Sequence, residues 1–69
     1  MEKLFDLIES VFEISKDDYS ENTFINQIET WDSLKHMEFI VTLENQFNIN
    51  LTGNEIAELH TIKDVMKLL

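Results

Sequence analysis

The sequence predicts an all-α fold: a small four-helix bundle with three longer helices, one short third helix and a long loop between helices 1 and 2. Three observations support this prediction. Apolar residues recur at helical spacing, residues that cap helix N-termini precede the later apolar segments, and no segment alternates apolar with polar residues as a strand would. A chain of 69 residues is enough for one domain with a small core. We therefore expect residues 1–69 to form a single domain.

The first helix is predicted over Glu2–Ile14, because apolar residues form a wide stripe on one side of it and acids line the other. The stripe comprises Leu4, Phe5, Leu7, Ile8, Val11, Phe12 and Ile14. After Ile14 the apolar residues no longer recur at helical spacing. A long loop is therefore predicted over Ser15–Trp31, with a short helical turn within it. Its expected anchors in the core are Tyr19, Phe24, Ile25 and Ile28.

The second helix is predicted to begin at Asp32, a good N-cap residue, and to run to Phe47. A rotation of about 100° per residue gives this helix two apolar surfaces. The core surface comprises Ile40, Leu43 and Phe47, flanked by Met37 and Phe39. The opposite surface comprises Leu34 and Val41, beside Glu38 and Asn45, with Glu44 further round. This second surface is typical of an interface with an apolar centre and a charged rim, and chance surface hydrophobes are the alternative.

Two capping signals define the remaining helices. Thr52 and Glu55 have capping-box spacing and open a short third helix over Asn54–Leu59. Thr61 caps the last helix. Its expected apolar face comprises Ile62, Val65, Met66 and Leu69.

The charge of the chain restricts its partners. Fourteen acids and five lysines give a net charge of −9. Such a surface repels phosphate backbones and anionic lipids, so we expect neither nucleic-acid nor membrane binding. It favours partners with basic docking patches, although an acidic surface also simply keeps a small protein soluble. The absence of cysteine, of a signal-peptide pattern and of a membrane-spanning run predicts a cytoplasmic protein, which we expect to be a monomer.

Ser33 is the candidate functional residue. It lies in the first turn of the second helix, where free backbone N–H groups and the helix dipole favour a phosphate. The chain offers no G-x-S-x-G motif, no oxyanion loop and no metal-binding motif, so we expect neither an enzyme nor a metal site. His36 is expected to be a partly packed or surface histidine. Trp31 could be a core plug, a partner contact or both, and a plug that fixes the loop against the second helix is favoured. From these residues alone, Ser33 could also be a helix-start residue chosen for its local hydrogen bonding.

The whole chain resembles the acyl carrier proteins, a family that includes peptidyl carrier domains. The resemblance is sharpest in Asp32-Ser33-Leu34, in Met37–Val41 and in Leu43–Phe47, and it continues through the short third helix to Thr61-Ile62. In this family a magnesium-dependent transferase attaches 4′-phosphopantetheine from coenzyme A to the serine of Asp-Ser-Leu. The resemblance therefore implies an acyl-carrier-like fold and a carrier domain with Ser33 as the attachment residue.

The same resemblance implies roles for the neighbours of Ser33. Asp32 would lie beside the magnesium site of the phosphopantetheinyl transferase during loading. The partner-docking positions of the family are matched by Leu34, Glu38, Val41 and Glu44. The arm on Ser33 would hold acyl or aminoacyl groups as thioesters. The implied partners are an acyl- or aminoacyl-loading ligase and downstream acyl-processing enzymes with basic docking patches.

The chain also departs from the family pattern. Thr30 replaces a glycine that is frequent two residues before the aspartate, and Trp31 stands between them. The run Trp31-Asp32-Ser33-Leu34 is similar to stand-alone carriers of specialised-metabolite, modified-sugar or lipid pathways. Lys35 and His36 replace acidic or neutral residues of the housekeeping fatty-acid carrier. The alternative to a carrier is an unmodified acidic protein-docking or regulatory module that uses the same helix face.

Overall fold

Four α-helices connected by loops make up the computed structural model, which describes residues 2–69. Helix α1 spans Glu2–Phe12, α2 spans Ser33–Phe47, α3 spans Gly53–Ala57 and α4 spans Ile62–Leu68. The loop between α1 and α2 contains two 3₁₀ turns, at Lys16–Asp18 and Ile25–Gln27. Within residues 2–69 the one extended pairing is an isolated antiparallel bridge between Phe24 and Thr61. The predicted all-α fold and the helical turn in the loop are therefore confirmed.

The helix boundaries differ from the predicted ones at three ends. Helix α1 ends at Phe12 rather than Ile14, because Glu13 adopts a left-handed conformation with φ 56° and the Ile14 N–H donates to the Glu9 carbonyl at 3.2 Å. Helix α3 begins at Gly53, one residue before the predicted start, and ends at Ala57 rather than Leu59. Leu59 lies beyond the helix and is buried in the core.

The core lies between α1 and α2 and is closed by the loop and α4. Phe12 and Phe39 are fully buried, and their rings are tilted, with centroids 5.5 Å apart. Two predicted loop anchors, Ile25 and Ile28, are also buried. The complete set of buried apolar residues is Leu4, Leu7, Ile8, Val11, Phe12, Ile25, Ile28, Phe39, Ile40, Leu43, Leu59, Ile62 and Val65.

Three predicted core positions are wrong. Met37 and Phe24 are about half exposed, at 53% and 49%, and Leu69 is 41% exposed. Met37 lies at the border of the two surfaces of α2, where the angular position alone does not decide burial. Phe24 is attached to the rest of the fold through its backbone, which forms the bridge to Thr61, rather than through burial of its side chain. In α4, Leu68 packs on the core instead of Leu69.

Two lysines hold α1 and α2 together in a reciprocal arrangement. Near the start of α1, the Lys3 ammonium donates to the Gln46 carbonyl at 2.7 Å, at the C-terminal end of α2. In the first turn of α2, the Lys35 ammonium donates to the Val11 carbonyl at 3.2 Å and pairs with Glu13 at 3.3 Å. Each helix thus places a positive charge at the negative end of the other helix dipole. The two contacts fix the antiparallel register of the pair.

The N-terminus of α4 is held by a capping box. Thr61 Oγ1 accepts from the Asp64 N–H at 3.2 Å, and the Asp64 carboxylate accepts from the N–H groups of His60 and Thr61, both at 3.1 Å. These backbone hydrogen bonds hold the pKa of Asp64 below the ordinary value of an aspartate. The ionised carboxylate therefore stabilises the folded protein.

We expect Asp64→Asn to lower the stability of the protein at neutral pH, with a difference that shrinks in acid. A carboxylate with a depressed folded-state pKa contributes fully above its unfolded pKa, about 3.9, and loses that contribution as pH falls through the lower folded value. Urea unfolding followed by circular dichroism at a series of pH values measures the difference. Asp17→Asn, in the exposed first 3₁₀ turn, is the control. A difference that is constant with pH would contradict the role of the charge.

Membrane-spanning elements are not found in the described chain. No helix within residues 2–69 is both long and apolar enough to cross a bilayer.

Candidate functional site

Ser33 is the first residue of α2 and its side chain is exposed. The preceding residue, Asp32, is the N-cap, as predicted: its Oδ1 accepts from the Lys35 N–H at 2.7 Å, and its backbone is extended. The cap satisfies the third amide of the helix and leaves the amides of Ser33 and Leu34 without intrahelical acceptors. The serine hydroxyl therefore stands in solvent, at the positive end of a 15-residue helix.

The surroundings of Ser33 do not activate it as a nucleophile. His36 lies one turn along α2, but its Nδ1 accepts a hydrogen bond from the Trp31 indole N–H at 3.2 Å. Trp31 is partly buried and packs on the core, as expected of a residue that fixes the loop against α2. Among residues 2–69, no group of three or more histidine and acidic side chains is placed to hold a metal ion. The Ser33 hydroxyl thus lies exposed at the helix start, and the Nδ1 of His36 is occupied by the Trp31 indole.

An apolar groove extends along α2 from the turn that carries Ser33. Its exposed apolar residues are Leu34, Met37 and Val41, with exposed fractions of 82%, 53% and 50%. We call this surface the α2 groove; it has a volume of about 550 Å³ and is lined by Asp32, Leu34, Lys35, Met37, Glu38, Val41 and Thr42. It therefore brings together three of the four expected docking residues, Leu34, Glu38 and Val41. Met37 is the member that the sequence pattern assigned to the core.

Glu44, the fourth expected docking residue, does not line the groove. Its Oε2 accepts a hydrogen bond from the Leu51 N–H at 2.8 Å, and the side chain is half-buried. This contact connects α2 to the segment before α3, so Glu44 has an internal structural role. The hydrogen bond joins residues seven positions apart across the end of a helix, which the sequence pattern did not indicate.

The positive charge of Lys35 does not neutralise the carboxylates at the groove. This residue borders the groove, but its ammonium group is held by the Val11 carbonyl and the Glu13 carboxylate. The exposed carboxylates of Asp32 and Glu38 therefore provide the charge at the groove. A partner with apolar side chains and basic residues complements this surface.

The fold and the site together define a small helical binding domain that presents a serine at a helix start, next to an apolar, acid-lined groove. The chain matches the family described as "Phosphopantetheine attachment site" over residues 2–69. It is also 37% identical over 65 residues to an acyl carrier protein of Lactobacillus acidophilus, and the match covers 93% of this chain and 80% of the relative. The chain therefore belongs to the phosphopantetheine-binding acyl carrier family, and the predicted resemblance is confirmed.

A solved structure supports the fold independently. A Mycobacterium tuberculosis structure that carries the description acyl carrier protein superposes with a TM-score of 0.84 at 23% sequence identity. The superposition covers 96% of this chain and 88% of that one. Membership of the family identifies phosphopantetheine as the prosthetic group and implies that a phosphopantetheinyl transferase and acyl-processing enzymes act on the chain. Acyl carrier proteins are carriers rather than catalysts, and the comparisons do not favour an unmodified docking module.

Proposed function

We propose that the chain is a single carrier domain that bears 4′-phosphopantetheine on Ser33 and docks on its partner enzymes through the α2 groove. The observation that carries the proposal is the exposed Ser33 at the start of α2, directly before the groove. The residues present fit the group: Ser33 provides a solvent-exposed hydroxyl for a phosphodiester, and the free amides of the first turn favour its negative charge. When bound, phosphopantetheine supplies a thiol that holds an acyl or aminoacyl group as a thioester.

The residues around Ser33 have separate roles in this proposal. Asp32 holds the first turn of α2 through the Lys35 N–H, and its exposed carboxylate is available to the magnesium site of the transferase. Leu34, Met37 and Val41 supply the apolar centre of docking, and Glu38 attracts basic side chains of the partner. A carrier must visit several enzymes in turn, so weak docking assisted by charge suits this function.

The similarity of the sequence around the serine to stand-alone carriers is what supports a proposal for the pathway. The run Trp31-Asp32-Ser33-Leu34 supports a specialised-metabolite, modified-sugar or lipid pathway rather than housekeeping fatty-acid synthesis. In such a pathway the loading partner is an acyl- or aminoacyl-activating ligase. Its docking surface is expected to be basic, opposite Asp32 and Glu38.

Intact-mass measurement tests the proposed modification. The wild-type chain is incubated with coenzyme A, Mg²⁺ and a phosphopantetheinyl transferase of broad specificity, and we expect one phosphopantetheine increment per chain. The reaction without transferase is the control. A wild-type chain that stays folded but gains no increment would overturn the proposal and leave the α2 groove as the surface of an unmodified docking module.

We expect Val41→Asp to weaken docking while leaving folding and modification intact. Val41 is half exposed in the middle of the groove, so an aspartate there places a charge in the apolar contact without entering the core. Loss of such a central contact lowers the kcat/KM of an acyl-loading ligase for the carrier about fivefold or more. Gln46→Glu is the matched control, because it adds the same charge at an exposed position of α2 that lies outside the groove, about 140° round the helix from Val41.

Two outcomes of this comparison would contradict the docking role of Val41. An equal loss in Gln46→Glu would show that added negative charge, rather than contact in the groove, determines the rate. A loss of helical circular dichroism in Val41→Asp would show that the valine contributes to the core.

A further inference from the structure

The charge of the α2 groove depends on where one lysine places its ammonium group. Lys35 is the one basic residue that lines the groove in the part of the chain that the structure describes, beside the carboxylates of Asp32 and Glu38. Its ammonium group donates to the Val11 carbonyl at 3.2 Å and pairs with Glu13 at 3.3 Å, and neither of these residues lines the groove. The stem of the lysine therefore borders the groove, while its charge is bound at the end of α1.

The position of Lys35 on α2 offers it another carboxylate. Glu38 follows it by three residues, a spacing at which oppositely charged side chains of a helix form ion pairs. Lys35 pairs with Glu13 instead, because the end of α1 supplies a carboxylate and a backbone carbonyl together. The exposed Glu38 carboxylate is thus left to the groove.

The backbone conformation of Glu13 does not explain why a glutamate stands there. The residue directly follows α1 and has a left-handed conformation with φ 56°, which asparagine or glycine adopts more readily. Its side chain is 74% exposed, so burial does not explain it either. Within the described chain, its one side-chain hydrogen bond is the contact with Lys35. The contact with the lysine is therefore the role that the structure gives this carboxylate.

We propose that Glu13 is a positioning residue for docking, which acts by holding the Lys35 ammonium away from the Glu38 carboxylate. This inference rests on the function proposed above, since it concerns docking through the α2 groove. Hydrogen bonds between two charged groups are stronger than those to a neutral acceptor. If Glu13 loses its charge, the Val11 carbonyl is a neutral acceptor and Glu38 becomes the stronger partner of Lys35. A basic side chain of the docking enzyme must then displace Lys35 before it contacts Glu38.

Glu13→Gln tests the proposal, because it removes the charge and keeps the size of the side chain. The KM and kcat for the carrier are measured at low ionic strength with coenzyme A, Mg²⁺ and a phosphopantetheinyl transferase that has a basic docking surface. We expect KM to rise about twofold to fivefold, the range for one exposed ion pair, and kcat to stay unchanged, because the turn with Ser33 is not altered. Asp17→Asn removes the same charge at an exposed position outside the groove and is expected to keep the wild-type KM.

A second background separates this role from a structural one. In a chain that carries Lys35→Met, adding Glu13→Gln should no longer raise KM, because no ammonium group remains to move. A structural defect caused by Glu13→Gln would persist in that background. Carbon NMR of the side-chain carboxyl groups supplies a measurement without any partner. The Glu38 resonance should shift in Glu13→Gln, and it should not shift when Glu13→Gln is added to Lys35→Met.

Four results would each overturn the proposal. They are a wild-type KM in Glu13→Gln, an equal rise in Asp17→Asn, a rise that persists in the Lys35→Met background, and a Glu38 resonance that does not respond to Glu13→Gln. Failure of the proposed function is a different outcome, because the wild-type chain itself would then gain no phosphopantetheine. The NMR comparison would in that case still decide whether Glu13 holds Lys35 away from Glu38.

Discussion

Ser33→Ala is expected to abolish phosphopantetheine attachment completely, with no residual mass increment. The proposed phosphodiester forms at the Ser33 hydroxyl, and alanine removes that oxygen without disturbing the helix start. Ser33 is the first helical residue and Asp32 supplies the cap, so the free energy of unfolding should change by less than about 0.5 kcal/mol. Intact mass after incubation with coenzyme A, Mg²⁺ and transferase measures the loss.

The control for this experiment is Ser10→Ala, which removes an exposed serine from α1 and should accept the full increment. Circular dichroism of both variants confirms that the fold is retained. An increment on Ser33→Ala equal to that on the wild type would place the attachment on another residue. It would remove the basis for the proposed site without affecting the assignment of the family.

Phe39→Ala is expected to cause the largest loss of stability. Phe39 is fully buried and packs against Phe12 in the centre of the bundle. Truncation of a buried phenylalanine to alanine costs about 3–5 kcal/mol, through lost apolar burial and the cavity left behind. A domain of this size has a total free energy of unfolding of roughly 3–10 kcal/mol. Because the loss is a large part of this total, the variant should be largely or wholly unfolded at physiological temperature.

Urea unfolding followed by circular dichroism compares Phe39→Ala with the matched variant Phe24→Ala. Phe24 is 49% exposed, so its truncation removes less burial and should cost about 1 kcal/mol. Equal losses in the two variants would contradict the assignment of the core. Because Phe39 lies on the side of α2 away from the groove, its loss should reduce docking only through unfolding.

The local features of the fold were predictable because they depend on neighbouring residues. The caps at Asp32, Thr52 and Thr61 are predicted from polar side chains that precede apolar segments, and each accepts a hydrogen bond from the backbone N–H three residues later. The end of α1 was not predictable, since Glu13 is not a residue type that favours a left-handed conformation. Its conformation depends on how the chain leaves the helix toward the loop.

The candidate site was predictable in its position and less so in its composition. Ser33, Leu34 and Val41 follow from the helix start and the helical period. Met37 required the packed structure, because a residue at the border of the core surface can lie on either side of it. Glu44 required it as well, since its hydrogen bond partner, the Leu51 N–H, lies beyond the end of α2. The contact between Trp31 and His36 is short in sequence, but neither residue type alone indicates it.

The reciprocal contacts of Lys3 and Lys35 have a consequence for the thermodynamics of the proposed docking. They tie the two ends of α2 to α1, so the helix that carries Ser33 and the groove has little freedom to shift. A surface that is already ordered loses little conformational entropy when a partner binds. Weak affinity for each enzyme can then come from a small contact area rather than from disorder in the carrier. In that case the heat capacity change on docking should be small and should scale with the apolar area of Leu34, Met37 and Val41.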